Sequence, residues 1–253
     1  MATYVVSDLH GYYNLFMNVL SKVGFSDSDY LWLIGDAIDR GPDGIKILQY
    51  VMNHQNMDLI IGNHELMMLN SVSQQGNILC DGPDASIWLG ANGGWTTLEG
   101  YKSISPEDRL SLLEWLKTRY VIKTLEINGS KYCLSHSFYN TECENKRYNE
   151  LPYLDVWNIT WSSVWRSDYC SHALDIYPKY DYQFVIGHVP VQFVRRERYP
   201  LDNWNKLKLL RYKNVINIDG GCSMGIDEEI NNGMILLRID DMQEFPLLLR
   251  DNR

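Results

Sequence analysis

The segment Leu33–Gly41, with the sequence LIGDAIDRG, places two carboxylates and a guanidinium directly after an apolar run. Burying Asp36 and Asp39 is costly unless cations or hydrogen-bond donors compensate their charge. Arg40 adds a planar guanidinium, which suits the recognition of phosphate oxygens. The segment therefore indicates a site that holds metal ions and a phosphate group side by side.

Polar side chains follow four further apolar runs in the same way, each at the point where a strand is expected to end. In open α/β sheets, the crevice beyond the carboxyl ends of the strands is the usual ligand site. We therefore expect one cluster built from five strand ends, with these members: Asp8, His10, Asp36, Asn63, His136 and His188.

The expected cluster combines imidazole, carboxylate and amide groups. This mixture favours manganese, iron, zinc or cobalt over calcium or magnesium. Six ligands exceed the four that one zinc ion needs, and they fit two ions about 3.5–4 Å apart that share a carboxylate. Asp36 follows the middle strand and is the expected bridge. Glycines at 35, 62 and 187 allow the backbone to approach the ions closely.

The elements that must position these residues alternate in the first part of the chain. Apolar runs predict strands, and helical spacing of apolar residues predicts helices between them. The predicted order is Tyr4–Val6 (strand), Asn14–Val23 (helix), Tyr30–Ile34 (strand), Ile45–Met52 (helix), Leu59–Ile61 (strand) and Glu65–Val72 (helix). This alternation predicts a parallel sheet covered by helices.

The second part of the chain predicts mostly strands, after a helix at Pro106–Arg119 that Ser105 caps. The expected strands are Val121–Ile127, Tyr132–Leu134, Phe184–Ile186, Val215–Ile218 and Met234–Ile239. We expect them to form a second sheet that packs on the first. Segments 76–100 and 141–180 show no clear periodicity and are expected to be an irregular insertion and a long functional loop.

Length and composition set the class of protein. The 253 residues fit one large α/β domain, which we expect to span 1–253, and the net charge of −9 argues against broad nucleic-acid binding. No segment approaches the ~20 apolar residues that cross a bilayer, and the N-terminus does not resemble a secretory signal. Five scattered cysteines without a CxxC pair indicate free thiols. We therefore expect a cytoplasmic protein without a membrane or nucleic-acid partner.

The motifs DLHG (8–11), GDAIDRG (35–41), GNHE (62–65), a later histidine and GH (187–188) stand in the order of the metallophosphoesterase signature. The motifs GDAIDRG and GNHE resemble those of the phosphoprotein phosphatase branch in particular. NGGW (92–95) and VWR (164–166) resemble small bacterial and phage serine/threonine phosphatases. The resemblance runs from about Tyr4 to Gly221. It implies the calcineurin-like α/β fold, in which two packed mixed sheets flanked by helices form a four-layer αββα sandwich.

The resemblance also implies ligands and cofactors. One ion would be held by Asp8, His10 and Asp36, and the other by Asp36, Asn63, His136 and His188. The implied cofactor is a pair of divalent ions, manganese in the first place, with iron, zinc, nickel or cobalt as alternatives.

Four further residues take catalytic roles by the same resemblance. Arg40 and Arg166 would bind phosphate oxygens, although Arg166 follows Trp165 directly where relatives place the arginine two residues after tryptophan. His64 would protonate the leaving oxygen, and Asp39 would orient and stabilise that imidazole.

The expected function is that of a phosphomonoesterase acting on phosphorylated proteins or peptides. It would hydrolyse phosphoserine, phosphothreonine or phosphotyrosine through direct attack of a metal-bound hydroxide and release phosphate. The alternative is a nucleotide hydrolase that cleaves bis(5′-nucleosyl) tetraphosphates or RNA caps, because close relatives use the same metal centre for that reaction. A silent binding module is disfavoured because no ligand is missing.

Overall fold

Two five-stranded sheets organise the chain, and the computed structural model describes residues 1–73, 77, 79, 84–165, 173–199 and 203–252. The strands are β1 Thr3–Val6, β2 Tyr30–Ile34, β3 Met57–Ile60, β4 Ile122–Ile127, β5 Ser130–Ser135, β6 Gln183–Ile186, β7 Leu210–Tyr212, β8 Val215–Asn217, β9 Gly233–Arg238 and β10 Gln243–Leu248. The helices are α1 Tyr13–Val23, α2 Gly44–Met52, α3 Asn63–Ser71, α4 Trp95–Ser103, α5 Pro106–Lys117, α6 Tyr153–Trp161, α7 Ala173–Ile176 and α8 Val191–Arg198.

The two sheets have similar topologies. The first has the order β10-β9-β1-β2-β3, in which β1, β2 and β3 are parallel, β9 is antiparallel to β1, and β10 is antiparallel to β9. The second has the order β4-β5-β6-β8-β7, in which β5, β6 and β8 are parallel. Each sheet thus contributes three parallel strands, whose carboxyl ends all point in one direction within that sheet.

Apolar side chains fill both faces of the sheets. Successive residues of a strand point to opposite faces. Val5 therefore packs against residues such as Leu134 and Val185 of the second sheet, whereas its neighbours Tyr4 and Val6 pack on the helical side. This burial on two sides makes the predicted four-layer arrangement of helix, sheet, sheet and helix, and it explains the continuous apolar runs of the sequence.

The structure corrects the expected place of one strand. The run near Met234 was expected in the second sheet, but β9 pairs antiparallel with β1 and makes the first sheet mixed. An apolar run reports burial but not the identity of its neighbour, because either sheet can bury it equally well.

The segments expected to be irregular contain helices in their described parts. A π-helix at Ile87–Ala91 precedes α4, and α6 lies in the second segment. Helix α4 buries few apolar side chains, mainly Leu98 and Tyr101, so its periodicity is too weak to recognise. The predicted cap of α5 is confirmed, because Ser105 Oγ accepts a hydrogen bond of 3.1 Å from Asp108 N–H.

Two compositional expectations concern cysteines and membranes. Cys133, Cys143 and Cys222 are buried free thiols, while Cys80 and Cys170 lie outside the described residues. Among the helices that the structure describes, none is long and apolar enough to cross a bilayer.

Candidate metal centre and active site

The carboxyl ends of the parallel strands of both sheets lead into one cluster of mostly buried polar side chains. The residues that follow these strands are Asp8 and His10 (β1), Asp36 (β2), Asn63 (β3), His136 (β5), His188 (β6) and Asp219 (β8). The structure therefore brings together all six predicted ligands. It adds Asp219, which the sequence analysis did not propose.

The first group of donor atoms surrounds His136. Its Nε2 lies 3.0 Å from Asn63 Oδ1, 3.2 Å from His188 Nδ1 and 3.4 Å from Asp36 Oδ2. His188 Nδ1 is also 3.1 Å from Asn63 Oδ1. Four donor atoms from two sheets are thus close enough to share one metal ion.

A second group shares Asp36 with the first. The Nε2 atoms of His10 and His64 each lie 3.8 Å from Asp36 Oδ2, and the three side chains could hold an ion. Asp8 joins the cluster from β1, and its carboxylate accepts the His188 N–H at 3.1 and 3.0 Å. One oxygen of Asp36 therefore faces both groups, which is the position that a bridging ligand requires.

Backbone carbonyls orient two of the imidazoles. His10 Nδ1 lies 3.1 Å from the Ile38 carbonyl oxygen, and His136 Nδ1 lies 3.1 Å from that of Ile34. A ring nitrogen that faces a carbonyl must carry the proton, so Nε2 of each neutral ring keeps its lone pair. This is the arrangement in which an imidazole binds a metal.

Buried negative charge gives independent support for cations at this place. Burial and the Asp219 carboxylate raise the pKa of Asp8 well above its usual value. Burial and Asp36 raise the pKa of Glu65 to about 7, and burial also raises the pKa of Asp219 to about 7. Carboxylates crowded away from water are stable as anions only when positive charge compensates them. The donor set and its charge therefore fit divalent metal ions.

The backbone at the cluster is strained. Residues with φ between 44° and 72°, in the left-handed region, are Asp8, His10, Asp36, Asp39, Arg40 and His188. Such conformations are costly for residues other than glycine and persist when surrounding contacts hold them. The contacts here include His10 N–H donating to the Asp36 carbonyl at 2.9 Å and Arg40 N–H donating to Gly93 at 3.1 Å.

Two glycines allow the strands to approach each other at the cluster. A Cβ atom at Gly62 would lie 2.3 Å from Asp36 Oδ1, and one at Gly187 would lie 2.1 Å from Asp8 Oδ2. Both distances are far below van der Waals contact. Glycine at these two positions therefore lets the backbone lie against the Asp36 and Asp8 carboxylates, while the expected close approach to ions stays a prediction.

His64 and Asp39 form a buried pair beside the predicted metal ligands. His64 Nδ1 lies 2.5 Å from Asp39 Oδ2. Burial lowers the pKa of His64, but Asp36 and the hydrogen bond to Asp39 outweigh burial and raise it above its usual value. The pair therefore favours a protonated imidazole whose Nε2 faces Asp36.

Trp88 and Thr97 hold Asp39 from the other side. Trp88 Nε1–H lies 3.0 and 2.8 Å from the two carboxylate oxygens of Asp39, and Asp39 N–H donates to Thr97 Oγ1 at 2.8 Å. A Cβ at Gly94 would lie 2.6 Å from Trp88 Nε1, so the glycine makes room for the indole. Sequence analysis missed Trp88, although its place just before the NGGW motif was a usable signal.

Arg40 is exposed, unlike the buried ligands around it, so its guanidinium can reach a substrate at the mouth of the site. The second predicted phosphate-binding residue, Arg166, lies outside the described residues.

Glu65 ties the loop after β2 to the loop after β3. Its two carboxylate oxygens accept the backbone N–H groups of Asp36, Ala37 and Gly62 at 2.9, 2.8 and 3.0 Å. The side chain is fully buried, so no water can replace these bonds. Glu65 therefore holds the Asp36 loop in place.

Replacing Glu65 by glutamine should destabilise the metal-free protein. An amide offers one oxygen, and its NH2 group would face backbone donors, so at least one buried N–H loses its acceptor at a cost of about 1–3 kcal/mol. Urea denaturation would measure the free energy of unfolding. Glu114→Gln, a change at an exposed surface ion pair, is the control and should alter it by less than about 0.5 kcal/mol. Equal values for both variants would contradict the role of Glu65.

Comparison with known proteins adds the family. A model of the calcineurin-like phosphoesterases matches residues 1–220. A serine/threonine-protein phosphatase 2 of Salmonella typhimurium is 31% identical over 163 residues, which cover 63% of this chain and 66% of that protein. A symmetrical bis(5′-nucleosyl)-tetraphosphatase of Buchnera aphidicola is 30% identical over 141 residues, which cover 54% of this chain and 44% of that protein. The chain thus matches less than two thirds of either relative.

Solved structures share the fold. A putative diadenosine tetraphosphatase aligns with a TM-score of 0.56 and 14% identity, covering 97% of this chain and 92% of that one. A serine/threonine phosphatase from Saccharomyces cerevisiae aligns with a TM-score of 0.56 and 12% identity, covering 98% and 80%. Because the family model spans most of the sequence, the chain belongs to the calcineurin-like phosphoesterases.

Proposed function

We propose that residues 1–253 form one catalytic domain that uses two divalent ions, manganese in the first place, to hydrolyse phosphomonoesters of proteins. The observation that carries this proposal is the position of Asp36 Oδ2, which lies within 3.4–3.8 Å of histidine nitrogens of both donor groups. Asp8, His10 and Asp36 would hold one ion, and Asp36, Asn63, His136 and His188 the other.

The chain's own residues divide the work around the phosphate. When bound, two divalent ions supply a water of lowered pKa and positive charge for the phosphate oxygens. Arg40 binds further oxygens through its planar guanidinium. The carbonyls of Ile34 and Ile38 keep the imidazoles in their binding tautomer, and Glu65 keeps the Asp36 loop in place.

His64 gives its proton to the departing oxygen. Its Nδ1–H bond to Asp39 orients the ring and stabilises the imidazolium form, while Nε2 faces the cluster. General acids of this kind accelerate the loss of a poor leaving group by about 10²–10⁴-fold. The unprotonated alkoxide of serine or threonine is such a group, so the His64–Asp39 pair fits a phosphoserine or phosphothreonine ester.

Two substrate classes share this centre. We place phosphorylated serine and threonine first, with phosphotyrosine as an extension, because Arg40 is the one exposed cation among the described site residues and a phosphomonoester carries only about −1.5 to −2 charges. Symmetrical cleavage of dinucleoside tetraphosphates is the second candidate, because relatives of this chain carry that name.

Parallel assays of the candidate substrates test the proposal. The protein with manganese should hydrolyse p-nitrophenyl phosphate and phosphoserine peptides, with release of inorganic phosphate. Diadenosine tetraphosphate is assayed beside them at equal concentration. A larger kcat/KM for the dinucleotide would replace the first substrate class by the second, and no hydrolysis of any of the three would refute the proposal.

Trp88→Phe should weaken proton transfer without unfolding the site. Phenylalanine fills most of the indole volume but removes the N–H that binds Asp39. We expect kcat for a phosphoserine peptide to fall about tenfold, the worth of one buried hydrogen bond to a charged group. For p-nitrophenyl phosphate, whose leaving group needs little protonation, kcat should fall less than about twofold. Equal losses on both substrates would show that Trp88 only supports the fold.

A further inference from the structure

Helix α6 presents apolar side chains to solvent. Along α6, Tyr153, Leu154 and Trp157 are 42%, 67% and 41% exposed, and Trp161 is half-buried at the end of the helix. Tyr153, Leu154 and Trp161 each lie three or four residues from Trp157, which places the four side chains on one side of the helix. We call these four residues the α6 stripe. Contiguous exposed apolar surface often marks a binding site, whereas single scattered apolar side chains do not.

The α6 stripe is continuous with the candidate metal centre. The Trp161 ring lies 6.5 Å from the His188 ring in an edge-to-face contact, and the Trp157 ring lies 6.3 Å from Trp161 at an interplanar angle of 25°. The stripe therefore starts at a proposed metal ligand and leads away from it. From Tyr153 to Trp161 it is about 12 Å long, at ~1.5 Å per helical residue.

Two hydrogen bonds fix the end of this helix to the residues that follow His136. Ser137 Oγ donates to the Ser162 carbonyl at 2.6 Å, and Phe138 N–H donates to the Ile159 carbonyl at 2.9 Å. The end of α6 is thus tied to the segment directly after His136. The stripe has a defined position relative to the site, as a specificity surface must have.

We propose that the α6 stripe binds the apolar side chain of a residue three or four positions away from the phosphorylated residue of a peptide substrate. This inference rests on the proposed phosphomonoesterase function. An extended peptide advances about 3.3–3.6 Å per residue. With phosphoserine at the metals, a residue three or four positions away in the peptide therefore lies about as far from His188 as Trp157 does. Trp157 is reached from His188 through two ring contacts, of 6.5 Å to Trp161 and 6.3 Å from there to Trp157.

The composition of the stripe favours a peptide over a nucleobase. Its most exposed member, Leu154, is aliphatic and offers no stacking face. Trp157 and Trp161 already face each other, so a base could not enter between them without separating the rings. A row of apolar side chains along a helix instead offers successive contacts to the side chains of an extended segment.

Paired peptides test this proposal. Two phosphoserine peptides differ only in leucine or alanine at the positions three and four residues from phosphoserine, on both sides. The native protein with manganese should show a kcat/KM about tenfold higher for the leucine peptide, since burying one aliphatic side chain is worth at least that factor. Trp157→Ala and Leu154→Ala should each reduce this preference, while kcat/KM for the alanine peptide and for p-nitrophenyl phosphate stays within about twofold.

A matched control and a second substrate separate the outcomes. Leu110→Ala removes another exposed apolar side chain, 43% exposed on α5, and should leave the preference intact. Absence of a preference in the native protein, or a preference that survives both stripe variants, overturns the inference and leaves the hydrolase proposal standing. Equal losses on all substrates in both variants would also overturn it. So would a loss confined to diadenosine tetraphosphate, which would assign the stripe to a nucleobase. Failure of the native protein on p-nitrophenyl phosphate and on both peptides would refute the proposed function itself.

Discussion

Asp36→Asn is expected to reduce kcat/KM for p-nitrophenyl phosphate by at least about a thousandfold, the largest effect that we predict for a single substitution. The amide keeps the size of the side chain. It also keeps an oxygen that can accept the backbone N–H of His64, whose nitrogen lies 3.1 Å from Asp36 Oδ1. It removes the anionic oxygen that faces both donor groups. Both metal sites should weaken together, so added manganese should restore little activity.

The control for this variant is Asp181→Asn, which removes an exposed carboxylate paired with Lys131. That change should leave kcat/KM within about twofold, as surface ion pairs contribute little. Circular dichroism of both variants should show the native fold. Activity of Asp36→Asn within tenfold of the native protein would contradict the bridging role of Asp36.

His64→Asn is expected to lower kcat for a phosphoserine peptide by about 10²–10³-fold, within the range for loss of a general acid. For p-nitrophenyl phosphate, the loss should stay below about tenfold, because nitrophenolate leaves without help from a proton. The dependence on the leaving group distinguishes proton donation from metal binding, since a lost metal would depress both substrates alike. Steady-state kinetics with saturating manganese would measure both ratios.

His54→Asn is the matched control for that experiment. His54 follows the end of helix α2, where its ring centroid lies 4.1 Å from that of Tyr50 and its Nδ1 lies 2.7 Å from the Tyr50 carbonyl oxygen, and it belongs to neither donor group. Its substitution should leave both kcat values unchanged. An equal fall on the two substrates for His64→Asn would instead assign this imidazole to the metal, a reading that its place in the donor group with His10 and Asp36 makes chemically reasonable.

The ligand set was predictable because each member follows its strand directly. Apolar runs mark buried strands, and parallel strands bring their carboxyl ends to one side, so Asp36, Asn63 and His136 could be placed together without knowing any contact between them. The same reasoning, applied to the strand that ends at Asn217, would have reached Asp219. Its Oδ1 accepts the Gly221 N–H at 2.8 Å, a local turn contact that gives no sign of the cluster.

The supporting residues were not predictable in the same way. Trp88 reaches Asp39 from a π-helix in a segment without periodicity, and Glu65 acts on backbone N–H groups 28 and 29 residues away. Such roles depend on which loops meet in space. The residues near one loop in the sequence do not show which other loop it will contact. The exposure of Trp157 belongs to the same class, because a tryptophan in a loop-rich segment is equally compatible with core packing.

Anomalous diffraction from crystals grown with manganese tests the central claim most directly. Two anomalous peaks should appear about 3.5–4 Å apart, both beside the Asp36 carboxylate. One should lie with His10 and Asp8, and the other with Asn63, His136 and His188. A single peak, or peaks remote from Asp36, would contradict the two-metal site.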